Sequence, residues 1–226
     1  MLYAENILIC IAVPLAVTML FTKGNARRMV ASFLAGMLAC IISAYIAGAI
    51  EALSGFGPED TSIFLSPMIE ESMKLLTILF CIYMFESSGD KTDLFAVDIG
   101  AGFATFENCC FILSSGAPQL TNVLIRGAAV GVMHIVTLVA VAKGIRFLKR
   151  YNIFSFAGIA GVFSLSVTVH GLYNLLVSKP GISSYIGYVM PMACAILLYM
   201  FTSGRNRDNE RSSTKPSNGG ILWQKK

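Results

Sequence analysis

Residues Met29–Ile50 read MVASFLAGMLACIISAYIAGAI and contain no charged side chain. A helix of this length crosses the hydrocarbon core of a bilayer, which is about 30 Å thick. In lipid the backbone must satisfy its own hydrogen bonds, so this run is predicted to be a transmembrane helix. Similar runs recur along the chain, and together they predict seven spans: Leu2–Phe21, Met29–Ile50, Ser62–Phe85, Leu94–Ser114, Val123–Leu148, Ile153–Val177 and Ser183–Phe201.

The composition agrees with an all-α integral membrane protein. Of 226 residues, 55% are hydrophobic and only 13% are charged, whereas soluble domains carry about 25% charged residues. The net charge of +4 lies mostly in loops and in the C-terminal segment, and no nucleic-acid-binding module is present. All six cysteines fall within predicted spans, which argues against a disulfide framework: Cys10, Cys40, Cys81, Cys109, Cys110 and Cys194.

The loops between spans alternate in basic charge. Those rich in Lys or Arg, with the tail, contain Lys23, Arg27, Arg28, Lys91, Arg146, Lys149, Arg150, Arg205, Arg207 and Arg211, and the intervening loops contain only Lys179. The positive-inside rule then predicts that the N-terminus lies outside and the C-terminus in the cytoplasm.

The chain is predicted to form one membrane domain, residues 1–203, followed by a tail. Residues 204–226 are polar and rich in Gly, Ser and Asn, which predicts a disordered cytoplasmic segment. Met1–Cys10 has only Glu5 as a charged side chain, unlike the basic start of a cleaved signal peptide. The first span is therefore interpreted as a retained helix. Gly127 and Gly131 form a G-x-x-x-G pattern, which predicts a close helix contact.

The third span carries an unusual concentration of charge, because Glu70, Glu71 and Lys74 lie within five positions of an apolar run. A charged side chain at mid-bilayer costs about 3 kcal/mol on insertion scales, so such residues must face protein or water. Lys74 can reach either acid across one helical turn. One Lys cannot neutralise both acids, so the second needs a proton or another cation. Pro67, one turn earlier, removes a backbone hydrogen bond there.

Polar side chains also lie inside three other spans. Glu107 lies in span four, His134 in span five, and His170 and Asn174 in span six. Counted along each helix, Glu70, Glu107 and both histidines lie about 10 to 17 Å below the predicted outer surface. This shared depth on four successive helices predicts one common site. Asp98 and Arg126 are interpreted differently, the first as structural and the second as extending outward to the headgroups.

The residue types at this site predict metal-dependent hydrolysis. Two His and one carboxylate are a common zinc ligand set that leaves a position for water, so His134, His170 and Glu107 are the candidate ligands. Glu70 or Glu71 is the candidate general base for the attack of that water on a carbonyl. Asn174, one turn from His170, is a candidate donor to a developing oxyanion.

Four short motifs occur in order along the core, residues 62–177: Glu70-Glu71-x-x-Lys74, Phe103-x-x-x-Glu107, His134 with Thr137, and His170-x-x-x-Asn174. This pattern resembles the PrsW family of intramembrane metalloproteases, which belongs to a superfamily with the CAAX prenyl endopeptidases and bacteriocin-immunity proteins. The resemblance implies a peptidase in the bacterial cell membrane that uses a divalent metal, zinc being expected. It also implies Glu70 and Glu71 as the catalytic acid pair and His134 and His170 as metal or oxyanion-site residues, and Lys74 is predicted to be catalytic with the acid pair. The implied substrate is a membrane-anchored anti-sigma factor cut near the extracytoplasmic face.

Two other functions are compatible with the same residues. Intramembrane acids and histidines also form relays in proton- or cation-coupled transporters and channels. A second Glu-Glu-x-x-Lys motif, as expected for the paired halves of many transporters, does not occur in the sequence. The third possibility is a membrane scaffold without catalytic activity.

Overall fold

The computed structural model describes residues 4–85, 90–115, 119–151 and 156–213, and nearly all of these residues are helical. The helices are α1 (Ala4–Phe21), α2 (Gly24–Ser54), α3 (Pro58–Asp60), a π-helical turn (Thr61–Leu65), α4 (Ser66–Phe85), α5 (Asp90–Ser115), α6 (Leu120–Arg150), α7 (Phe156–Val177) and α8 (Ile182–Ser213). α3, the π-helical turn and α4 follow one another directly. No strand occurs in these ranges, which confirms the predicted all-α fold.

Within the described residues, six helices are long and apolar enough to cross a membrane: α1, α2, α5, α6, α7 and α8. α4 is a further helix of 20 residues. It differs from the six because Glu70, Glu71 and Lys74 interrupt its apolar sequence. Many large apolar side chains remain exposed on the outside of the bundle, as lipid contact requires. The protein is thus a multi-pass membrane protein of the predicted kind.

The centre of the bundle depends on two glycines that allow α2 and α5 to touch. A Cβ added at Gly36 would lie 2.2 Å from the Ile99 carbonyl oxygen, and one at Gly102 would lie 2.0 Å from the Phe33 carbonyl oxygen. Only glycine permits so close an approach of two helix backbones. α5 also packs against α6 and α4, while α7 and α8 pack on α6, so four helices that carry the polar residues are neighbours.

The G-x-x-x-G pattern of α6 does not form the close contact predicted for it. Among the described residues, no atom lies within 4 Å of a Cβ added at Gly127 or Gly131. The pattern failed because small residues permit a close approach without requiring one, and α5 approaches α6 elsewhere. A Cβ at Gly100 would lie 2.8 Å from the Ile135 Cα.

Ion pairs tie the helices at both ends of the bundle. Lys179, between α7 and α8, lies 3.5 Å from Glu59 of α3. At the opposite end Asp93 of α5 pairs with Lys143 at 3.1 Å and with Arg146. The first end is the one that carries the start of α1. That this end faces outward remains a prediction from the loop charges.

The predicted tail is helical over its first residues. α8 continues to Ser213, past the predicted boundary at residue 203, while residues 214–226 lie outside the described part of the chain. A helix already nucleated in the membrane extends at little cost into a polar segment without Pro, and the next proline is Pro216. The membrane-competent part of α8 ends at Phe201, as predicted, and the division of the chain at residue 203 stays a prediction.

Candidate active site

Side chains from α4, α6 and α7 meet in a buried polar cluster. Glu71 and His170 are each 2% exposed, and Lys74 and His134 are fully buried. The two imidazole rings stand at right angles with their centroids 5.0 Å apart. Burial of four ionisable groups is tolerated only when each is paired and hydrogen-bonded. The contacts show how this cluster meets that condition.

Glu71 is the hub of the cluster and accepts four hydrogen bonds. Its Oε1 accepts from Lys74 Nζ at 2.6 Å, from Thr137 Oγ1 at 3.3 Å and from His170 Nδ1 at 2.8 Å. Its Oε2 accepts from Ser166 Oγ at 2.7 Å. A carboxylate offers about four acceptor positions. Glu71 is therefore saturated, and it joins α4, α6 and α7 without a free position for a substrate.

Lys74 determines which nitrogen of His134 carries the proton. Lys74 Nζ lies 3.1 Å from His134 Nδ1 and 3.2 Å from Thr137 Oγ1. An ammonium group only donates, so in this geometry Nδ1 accepts and the ring proton is assigned to Nε2. His134 Nε2 lies 2.5 Å from Glu107 Oε2, to which it donates.

Arg126 lies inside the bundle rather than reaching outward, so its predicted orientation is wrong. Its Nη2 lies 3.1 Å from Glu107 Oε1, and its guanidinium carbon lies 3.8 Å from the centre of the Phe111 ring. A half-buried carboxylate attracts a cation more strongly than the headgroup region does, because the local dielectric constant is low. A planar guanidinium also stacks on an aromatic face. Arg126 and His134 thus hold Glu107 from two sides.

Glu70 differs from its neighbour Glu71 in having an unsatisfied oxygen. Its Oε2 is buried and has no hydrogen-bond partner among the described residues. His170 Nε2 lies 3.5 Å from this oxygen. Buried polar atoms without a partner are rare in native proteins and call for a ligand or water. Glu70 is therefore the carboxylate with bonding capacity to spare.

Glu70, His134 and His170 form the group whose arrangement suits a metal ion. Each offers one donor atom, and the three atoms lie within 4.8 Å of one another. Two ligands of a tetrahedral zinc ion lie about 3.3 Å apart, close to the 3.5 Å between Glu70 Oε2 and His170 Nε2. His170 donates its other ring nitrogen to Glu71, as metal-binding histidines commonly do. The residues present therefore fit a divalent metal once His134 gives up one of its two hydrogen bonds, with Lys74 or with Glu107, because both of its ring nitrogens are engaged.

The structure groups the predicted ligands differently from the expectation. Glu107 was expected as the third ligand beside the two histidines, but Glu70 takes that place in the group. Glu107 instead lies against His134 and Arg126. The sequence does not distinguish Glu70 from Glu107 as a ligand. The rotation of α4 and α5 about their axes decides which of the two acids faces both histidines.

Asn174 is the predicted site residue that the structure does not bring to the cluster. Its Nδ2 donates to the Ser62 carbonyl oxygen at 2.9 Å, in the π-helical turn before α4. The turn also packs closely on α7, since a Cβ at Gly171 would lie 3.2 Å from the Ile63 carbonyl oxygen. π-Helical turns occur frequently at functional sites. Here Asn174 fixes the turn that precedes Glu70, so it positions α4 instead of facing the acids.

A cavity of about 360 Å³ reaches the acids from the end of the bundle that carries the start of α1. Glu70 and Glu107 both lie on its wall. The other lining residues come from α1, α2, the α3–α4 segment and α5: Ala4, Cys40, Ile41, Ser43, Ala44, Ala47, Gly48, Glu51, Pro58, Thr61, Ser62, Ser66, Phe106 and Cys110. The cavity gives water and peptide a route to Glu70, the acid of the cluster that has an unsatisfied oxygen.

Ser166 and Arg126 are the residues of the site that sequence reasoning missed. Ser166 precedes His170 by one helical turn, so both lie on the same face of α7. That spacing was the only signal for Ser166, and it is weak because Ser is common in membrane helices. Arg126 carried a clearer signal, since it lies two turns before His134 on α6.

A multi-pass bundle that buries carboxylates and imidazoles beside a cavity defines the class of membrane-embedded hydrolases. The family model for the PrsW family intramembrane metalloprotease matches residues 24–201, most of the chain. The chain therefore belongs to this family and is a membrane-embedded metalloprotease, which confirms the resemblance drawn from the four motifs. Neither the curated proteins nor the solved structures contain a match.

Proposed function

We propose that the protein is a zinc-dependent endopeptidase of a bacterial cell membrane that cleaves a single-pass protein, an anti-sigma factor being the expected substrate. Membership of the family gives intramembrane proteolysis by a metal-dependent enzyme. The substrate, the zinc ion and the roles of the residues are the proposal. The observation that carries it is the unsatisfied Glu70 oxygen, which lies beside His170 on the wall of the cavity.

Glu70, His134 and His170 are the residues that would hold the metal. A carboxylate with two imidazoles is a ligand set typical of catalytic zinc. When bound, zinc supplies a Lewis acid that polarises the scissile carbonyl. Glu71 acts as a positioning residue, since it fixes the His170 ring through Nδ1. His134 would bind the metal in place of its hydrogen bond with Lys74 or with Glu107.

Glu107 is the carboxylate that we assign as proton acceptor. Glu71 is saturated and Glu70 belongs to the ligand group, so Glu107 is the acid of the cluster that remains. Its side chain is 30% exposed and lines the cavity, where a water molecule can approach. Arg126 and His134 fix its orientation, so that its carboxylate accepts the proton in a defined position.

An apolar layer next to the cluster argues against the transport alternative. Between the cluster and the Asp93 ion pairs, the described helices pack a core of Ile78, Cys81, Phe95, Ala96, Ile99, Leu138 and Ala142, all at most 3% exposed. A proton or cation relay needs polar groups or water across the whole bilayer. Among the described residues, the cavity that reaches the polar cluster opens toward the end of the bundle that carries the start of α1, as a hydrolytic site requires.

The proposal is tested with purified full-length protein in proteoliposomes containing a single-pass anti-sigma factor tagged at both ends. We expect cleavage that Glu70→Gln, His134→Ala and His170→Ala each reduce by at least about 100-fold. Glu59→Gln is the matched control, because Glu59 lies at the same end but outside the cluster, and it should retain full activity.

Two results would count against the proposal in different ways. If cleavage persists in Glu70→Gln and His170→Ala, these two residues are not part of the active site. Ion uptake into the same liposomes, without any peptide cleavage, would favour the transporter. Loss of cleavage upon chelation, restored by zinc but not by magnesium, would support the assigned metal.

A further inference from the structure

The cavity beside the active site has a wall made of small side chains on α2. Cys40, Ser43, Ala47 and Glu51 lie on it, three or four residues apart, so they share one face of the helix. Small residues along that face leave the volume open between α2, α4 and α5. Glu51 is the large residue in this row, and it lies in the last turn of α2, at the entrance side of the cavity.

The charged residues that line the cavity are all acidic. They are Glu51, Glu70 and Glu107, and no Lys, Arg or His lies among the lining residues. Glu107 is paired with Arg126, and Glu70 belongs to the metal-binding group. Glu51 has no ion pair or side-chain hydrogen bond among the described residues. Its place at the C-terminal end of α2 is also unfavourable for a carboxylate, because of the helix dipole.

A second unsatisfied group lies on the same wall. Thr61, the first residue of the π-helical turn, is 5% exposed and lines the cavity. Its Oγ1 is buried and has no hydrogen-bond partner among the described residues. A buried hydroxyl without a partner costs stability unless a ligand or water satisfies it. Unlike the acids, it can both donate to and accept from a peptide group.

We propose that this cavity is the substrate subsite next to the scissile bond, and that Glu51 selects a Lys or Arg of the substrate there. The proposal rests on the proposed function, since it assigns the specificity of the same site. Thr61 Oγ1 binds the backbone of the bound segment, while the small residues of α2 leave room for the long basic side chain. The negative wall disfavours Asp or Glu at that substrate position.

The test uses designed single-span substrates and the full-length enzyme in nanodiscs. All substrates share one membrane segment, followed by one Ala/Ser-rich segment. Each substrate carries a single Lys, Gln or Glu at one position of the Ala/Ser-rich segment, and every position is tested in turn. We expect at least one position at which the substrate with Lys is cleaved about tenfold faster than the substrate with Glu. Glu51→Gln should reduce that ratio below about threefold and Glu51→Lys should invert it, whereas Glu59→Gln should leave it unchanged. An unchanged ratio in Glu51→Gln would overturn the proposal.

Thr61 is tested by a pair of substitutions. Thr61→Val keeps the shape but removes the hydroxyl, and we expect KM to rise about fivefold to tenfold with kcat little changed. Thr61→Ser retains the hydroxyl and should restore the KM. Equal KM values for the Val and Ser variants would show that the Thr61 hydroxyl does not bind the substrate.

A measurement without substrate separates failure of the subsite from failure of the proposed function. Cys110 lines the cavity, so its modification by a cationic and an anionic thiosulfonate of equal size reports the local charge. Cys194 serves as the internal reference. We expect the cationic reagent to react about threefold faster or more, and Glu51→Gln to reduce this ratio. If no substrate is cleaved, the proposed function fails, while the labelling ratio still decides whether Glu51 attracts cations.

Discussion

Replacing Lys74 by Met tests whether the buried polar cluster holds the bundle together. Lys74 is fully buried, and Met has a similar length but no charge. Its Nζ lies 2.6 Å from Glu71, 3.1 Å from His134 and 3.2 Å from Thr137. Removal of one partner of a buried ion pair leaves the other charge unpaired and costs about 3–5 kcal/mol. We expect Lys74→Met to lower the free energy of unfolding by this amount.

The double variant Lys74→Met/Glu71→Gln shows whether the loss comes from the pair itself. The amide that replaces the Glu71 carboxylate still accepts hydrogen bonds, but it leaves no unpaired charge in the cluster. We therefore expect the double variant to be more stable than the sum of the single losses predicts, with a coupling energy of about 2 kcal/mol. The assay is unfolding of the protein in bicelles or mixed micelles.

A matched control is the exposed pair Glu59–Lys179, whose side chains are 61% and 75% exposed. The cycle Glu59→Gln with Lys179→Met should give a coupling close to zero, because solvent screens the pair. If the buried and exposed cycles gave equal coupling energies, the cluster would not have the structural role assigned to it.

Two further predictions concern helix packing and the positioning of the hub carboxylate. Gly102→Ala places a Cβ 2.0 Å from the Phe33 carbonyl oxygen, so it should lower the free energy of unfolding by about 1–3 kcal/mol. Gly131→Ala is the control. Its Cβ meets no described atom within 4 Å, so it should be nearly neutral in the same unfolding assay. Ser166→Ala removes the 2.7 Å hydrogen bond to Glu71 Oε2 and should cost about 1–2 kcal/mol. Ser166→Thr keeps a hydroxyl, so its recovery of stability would support the role of this hydrogen bond. Equal stability of Ser166→Ala and the parent protein would contradict that role.

The membrane architecture was predictable because the bilayer leaves the chain few choices. Apolar runs of this length must be helices in lipid, and α4 was identified from length despite its three ionisable residues. The convergence of Glu70, Glu107, His134 and His170 was predictable from their depth, since charged groups in lipid must be paired. Pro67 indicated the loss of a backbone hydrogen bond beside the π-helical turn, but the contact of the turn with Asn174 had no sequence signal, because it depends on the packing of α7.

The details of pairing could not be predicted from the sequence, because they depend on helix rotation. The structure groups Glu70, and not the expected Glu107, with the two histidines, although both acids lie at suitable depth, and their roles stay a prediction. Gly36 and Gly102 form the close contact that the pattern at Gly127 and Gly131 suggested for another helix. In each case the sequence identified suitable residue types, and the choice between them was made by the neighbouring helix.

We propose that Glu70, His134 and His170 together hold one catalytic metal ion. The measurement that tests it most directly is the metal content of the purified full-length protein, determined by elemental analysis with each variant at equal folded concentration. We predict about one zinc ion per chain in the parent and in Glu59→Gln, and loss of the ion in Glu70→Gln, His134→Ala and His170→Ala. A full metal content in folded His170→Ala and Glu70→Gln would contradict the account.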